Sequence, residues 1–170
     1  GVYTSLPGEG TFKYSPYGKL PTDVYLGDHN WEAYKRKQES VGYQYDHRFN
    51  DDWSFTQKAR FMHITAYQEN TYSTGLAADG RTLGRRMYMT DESMDSFNID
   101  NQIAGKFDTA FLRHNVLLGF DYQWQNNKTE YQDAVAPSID IFDRDNSEIN
   151  RGNIAWDPSL ATNVRYSMHQ

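Results

Sequence analysis

The run FNIDNQIAGKFDTAFLRHNVLLGFDYQW, residues 97–124, decides the fold class. In its first part Phe97, Ile99, Ile103, Gly105 and Phe107 share one parity, and Asn98, Asp100, Gln102 and Lys106 share the other. In its second part Leu112, His114, Val116, Leu118, Phe120, Tyr122 and Trp124 stand against Arg113, Asn115, Gly119, Asp121, Gln123 and Gln125. Side chains alternate across a strand with period two, so each part is a strand with one apolar and one polar face. The short link over residues 108–111 makes the pair an antiparallel hairpin. Its even length moves the apolar face from odd to even numbers without changing the side of the sheet. Two residues break the pattern: Leu117 is apolar on the polar parity, and Asn101 is an amide on the apolar parity.

The same alternation extends outward. Residues 39–49 place Val41, Tyr43, Tyr45, His47 and Phe49 on one face, and residues 53–69 place Trp53, Phe55, Ala59, Phe61 and Tyr67 on one face. Asn50-Asp51-Asp52 between them is a polar turn. Residues 85–95 re-enter a strand that runs into the hairpin, 160–170 begin another, and 1–6 read as the end of one. Three long connections are expected, over 7–38, 70–84 and 129–158, because glycine, proline and polar residues interrupt the alternation there. The connections therefore run long, short, long, short, long. Aromatics flank both short ones: Phe49 and Trp53, then Phe107 and Phe111. Short turns on one side, long loops on the other and aromatic girdles between are the marks of an outer-membrane β-barrel. The alternative with the same alternation is a soluble β-sandwich with long loops.

Composition narrows the classes. The chain has 170 residues, a net charge of -6 and no cysteine. The acidic balance argues against nucleic acid as a partner. Without cysteine there is no disulfide frame, thiolate zinc site or cysteine nucleophile. Mean hydropathy is -0.87, yet aromatics make up 15% of the residues, with 13 tyrosines. That richness excludes disorder, and a barrel tolerates the polarity because only alternate strand residues need be apolar. No apolar run reaches the roughly 18 residues of a membrane helix.

No catalytic or metal constellation stands out. His29, His47, His63, His114 and His169 lack metal-ligand spacing. Asp143, Asp145 and Glu148 resemble a calcium loop only loosely, without its glycine or spacing. Asp91, Glu92 and Asp95 repel one another unless Arg85 and Arg86 lie nearby. Lys35-Arg36-Lys37 reads as a solvated loop face. Asn127-Lys128-Thr129 fits a glycosylation triplet, which needs a eukaryotic secretory context. An outer-membrane barrel enzyme, the third class considered, needs a constellation at the rim that the sequence does not present.

Four ordered segments carry a resemblance: Leu6-Pro7-Gly8-Glu9-Gly10-Thr11, Gly18-Lys19-Leu20-Pro21-Thr22-Asp23, the run from Val41 to Asp51, and the run from His114 to Tyr122. Together they resemble the barrel of TonB-dependent siderophore receptors, of the ferric-hydroxamate or ferrichrome type. The resemblance implies an all-β, antiparallel up-and-down meander, part of a 22-stranded transmembrane β-barrel in the bacterial outer membrane. Residues 1–170 would be a partial barrel of about five to seven strands, without the plug domain. It implies a ferric siderophore, of hydroxamate type, as ligand. TonB would act through the missing plug region, and lipid and lipopolysaccharide would surround the barrel. Iron would arrive inside its chelator, so no resident cofactor, protein metal site or enzymatic activity is expected. Carried over by local alignment, the siderophore contacts fall on Tyr3, Tyr72 and Tyr131. Ser5 and Thr74 stand where the ferrichrome pattern has aromatics, which implies a different or bulkier chelate.

Overall fold

The computed structural model describes residues 6–143 and 146–170. They form one all-β sheet of five strands: β1 (Ala33–Arg48), β2 (Trp53–Leu76), β3 (Thr82–Thr109), β4 (Leu112–Asp140) and β5 (Thr162–His169). Spatial order follows chain order, which is the antiparallel meander expected from the hairpin.

The strands run longer than the sequence pattern predicts. The expected loop over 70–84 is mostly strand, because β2 continues to Leu76 and β3 starts at Thr82. Only residues 77–81 turn. Asp79 builds that turn: its Oδ1 accepts the Arg81 and Thr82 amides at 2.9 Å, and its Oδ2 accepts the Thr82 hydroxyl at 2.6 Å. These bonds, led by the one from the hydroxyl, hold its carboxyl down to about 2. The expected loop over 129–158 likewise begins as strand, since β4 reaches Asp140. The basic run Lys35-Arg36-Lys37 lies on β1 and not in a loop. For β2 and β4 the cause is shared. Here the strands pack against other segments of the chain through polar pairs, so the greasy alternation that marks a strand is lost while its backbone ladder continues.

The chain packs as two units. One comprises residues 36–65, 92–128 and 164–170. Its apolar positions share one face, as the parity switch across the hairpin requires. Tyr45 meets Phe55 with ring centroids 6.5 Å apart, and Tyr122 meets His169 at 6.2 Å. Val41, Leu118, Phe120, Val164 and Tyr166 are exposed on it. Asn101 is absorbed by a polar relay across that face. The Tyr43 hydroxyl donates to Gln57 Oε1 at 2.6 Å, and Gln57 Nε2 donates to Asn101 Oδ1 at 2.6 Å. Each polar group thus finds a partner within the sheet, which a hydrocarbon environment demands. Near the tight turns the rings form a belt. Trp53 stacks on Phe107 at 6.5 Å, and Phe107 stacks on His114 at 4.8 Å. Gly105 makes room for it, because a Cβ there would lie within 2.6 Å of the Trp53 ring. The second tight turn is two residues long, with Ala110 at φ 52°, the positive φ that so short a hairpin connection favours.

The other unit comprises residues up to 35, 66–91 and 129–163. Its core has two clusters. Trp31, Met87, Ala134, Ala136 and Ile149 form the first, and Leu26, Leu83, Ile139 and Ile141 the second. The segments before β1 and after β4 thus pack onto β3 and β4. Arg85 fastens them. It is fully buried beside Asp28, at 3.2 Å from Oδ2, and it donates to the carbonyls of Gly27 at 2.5 Å and Pro137 at 2.9 Å. Glu148 adds a second carboxylate at 3.3 Å. Arg151 closes the same loop onto β2. It pairs with both oxygens of buried Glu69 and lies over the Trp31 ring at 4.8 Å.

Candidate functional site

Within β2, β3 and β4 each strand carries one aromatic on its polar parity: Tyr72, Tyr88 and Tyr131. The structure brings these three together. Tyr72 lies 6.2 Å from Tyr88, and Tyr88 stacks on Tyr131 at 5.9 Å with planes 23° apart. Aromatic pairs at such spacing contribute about 0.5–1.5 kcal/mol beyond their buried area.

A single carboxylate organises the wall. Asp133 is buried, with 1% exposure. Its Oδ2 accepts the hydroxyls of Tyr72 at 2.9 Å and Tyr131 at 2.7 Å, and its Oδ1 accepts Arg86 Nε at 2.6 Å. Strand geometry supplies the set: Tyr131 and Asp133 are two apart on β4, so they share a face, and Tyr72 reaches the same oxygen from β2. Arg86 also donates to Asp157 at 3.1 Å, on the segment whose backbone pairs beside β4. Gln68 Nε2 donates to the Tyr88 hydroxyl at 2.9 Å.

This setting fixes the hydroxyl protons of Tyr72 and Tyr131, both of which go to Asp133. Each side chain offers a ring face and a phenol oxygen.

Of the residues expected from the sequence, Tyr72 and Tyr131 belong to this wall. Tyr3 and Ser5 lie outside the described residues, and Thr74 is exposed near the end of β2. The sequence pattern did not reveal Tyr88, Arg86 or Asp133. A usable signal was present: a tyrosine on the polar parity of a strand is out of place twice over, off the apolar face and among solvated residues. The other candidates resolve differently. Arg85 and Arg86 pair with Asp28, Glu148, Asp133 and Asp157, not with the acidic run from Asp91 to Asp95. Asp95 instead meets His63 at 2.6 Å. Glu148 of the calcium-like run faces Arg85, and Asp145 lies outside the described residues. Asn127 is buried in β4 and accepts from Gln125.

A meander of long strands with an exposed apolar face on one parity is the architecture of a β-barrel wall. The chain belongs to the TonB dependent receptor-like, beta-barrel family, whose model matches residues 2–167. The soluble sandwich is therefore set aside. Among relatives, the chain is 32% identical to the ferrioxamine B receptor of Salmonella typhimurium over 142 residues, covering 84% of this chain and 20% of that protein. It is 34% identical to the ferrioxamine receptor of Yersinia enterocolitica over 144 residues, covering 84% and 20%. It is 31% identical to the ferrichrome outer membrane transporter/phage receptor of Escherichia coli K12 over 172 residues, covering 88% and 23%. The chain thus spans about a fifth of the length of these relatives.

Proposed function

We propose that this chain is part of the barrel wall of an outer-membrane receptor that takes up ferric siderophores by a TonB-dependent route. The face holding Tyr72, Tyr88 and Tyr131 would be its ligand wall. The observation that carries the reading is the meeting of three polar-parity tyrosines around one buried carboxylate. On the same strands that parity holds Ser54, Thr56 and Lys58, then Asn98 and Asp100, then Asp121 and Gln123, as a water-filled lumen requires. The opposite parity carries the exposed apolar face that lipid would cover. Tyrosine fits a ligand wall because it joins a rigid ring of large contact area to a polar tip. Names such as ferrioxamine receptor and ferrichrome transporter among the relatives support a hydroxamate chelate as the ligand class. TonB would couple through a plug domain, and lipid and lipopolysaccharide would contact the outer face. Iron enters as cargo within the chelator, so the wall needs no metal ligands of its own.

The test is ferric trihydroxamate binding by the full-length receptor carrying Tyr72→Ala or Tyr131→Ala, with surface expression measured alongside. Truncating a true contact costs about 1 kcal/mol or more, roughly a fivefold loss of affinity. Unchanged affinity in both variants at normal surface levels overturns the reading.

A further inference from the structure

The hydrogen bonds of the wall dictate what it can offer a ligand. A phenol has one proton. Tyr72 and Tyr131 both give theirs to Asp133 Oδ2, so toward a ligand each oxygen can only accept. Tyr88 accepts from Gln68 and keeps its own proton, so it can still donate. The charged groups of the wall are Asp133, Asp157 and Arg86, and the arginine spans both carboxylates at 2.6 and 3.1 Å. Together they carry one net negative charge. Ring faces add to this, because the face of an aromatic ring attracts cations.

We propose that the wall selects ferric chelates bearing a positive charge or hydrogen-bond donors, and that Asp133 is the positioning residue that sets this preference. By taking both phenol protons, Asp133 turns the Tyr72 and Tyr131 oxygens into acceptors and fixes their rings against Tyr88. An ammonium on the periphery of the chelate then meets phenol oxygens, ring faces and net negative charge at once. An anionic chelate finds a donor at Tyr88 but meets the two acceptor oxygens and the net negative charge with the wrong sign. This rests on the wall being the ligand face proposed above.

The experiment compares two probes on the full-length receptor: a linear ferric trihydroxamate with a terminal ammonium, and its N-acetylated counterpart. The wild type binds the ammonium form about fivefold or more tightly, the scale of a partly desolvated cation–ring contact. Asp133→Asn brings the ratio toward one, because it removes the carboxylate charge and leaves Arg86 and Asp157 to cancel. Tyr72→Phe combined with Tyr131→Phe lowers the ratio while keeping the rings and the charge, and it decides the matter if Asp133→Asn fails to reach the outer membrane. Equal binding of the two probes by the wild type overturns the proposal. So does an undiminished ratio in the paired phenylalanine variant. These failures are separable from failure of the parent reading, which shows as wild-type affinity for both probes in both Tyr72→Ala and Tyr131→Ala.

Discussion

Arg85 shows how one residue can decide whether a long segment is ordered. It has 1% side-chain exposure and its partner Asp28 has none. Moving such charges out of water costs several kcal/mol per ion, and only close pairing and full hydrogen bonding offset it. Here the guanidinium reaches the carbonyls of Leu26, Gly27 and Pro137 as well as two carboxylates. Replacing it with methionine leaves Asp28 buried without its cation. We expect Arg85→Met to destabilise this unit by about 3–5 kcal/mol, read as new protease sensitivity in residues 24–31 and 146–151. Adding Asp28→Leu removes the orphaned charge but recovers only part of the loss. Asp28 also accepts the backbone amides of Asn30 at 3.0 Å and Ile149 at 3.2 Å, and those donors then lose their acceptor. Sensitivity unchanged by the single substitution would show that the two segments are held by apolar contacts alone.

At the scale of the element, strands were legible where lipid or water alone decides each face. From Val41 to Phe49 and from Phe97 to Trp124 the alternation marks strand, register and the side of each residue. It failed at Glu69 and Thr129, where the buried face is polar. Glu69 is matched by Arg151 and Asp133 by Arg86, and partners 82 and 47 positions away leave no local pattern. The same distance hid Tyr88 and Asp133 from the site, while Tyr72 and Tyr131 were reached through the family resemblance. The strand faces carry a prediction of their own. Leu118 is exposed on the apolar parity of β4, so Leu118→Arg sets a guanidinium against hydrocarbon. The expected cost is roughly 2–4 kcal/mol at the bilayer midplane and less toward either interface, measured by denaturant unfolding of the receptor in lipid vesicles. Arg113 and Asn115 already occupy the polar parity of that strand, so Asn115→Arg is the matched control and should cost far less. Equal costs for the two would place Leu118 in the lumen.

For the whole molecule, connectivity fixes which turns share a side. In an up-and-down barrel each strand crosses the membrane once, so the turns at residues 49–52 and 110–111 lie on one side. Residues 77–81 and 141–161, with the segment before β1, lie on the other. Outer-membrane barrels keep their short turns periplasmic, which assigns the sides. The exposed aromatics give this a direct readout, because both sets hold sites for a protease that cuts after large rings. Phe12 and Tyr14 are 81% and 87% exposed, and Phe111 at the two-residue hairpin is 92% exposed. Chymotrypsin added to intact cells should therefore cleave after Phe12 or Tyr14 and leave Phe111 whole. Permeabilising the outer membrane should add cleavage after Phe111, because only the barrier protects it. Cleavage after Phe111 in intact cells, with residues 12–14 spared, would invert the orientation. It would also move the wall of Tyr72, Tyr88 and Tyr131 to the periplasmic side, where no siderophore arriving from outside would meet it first.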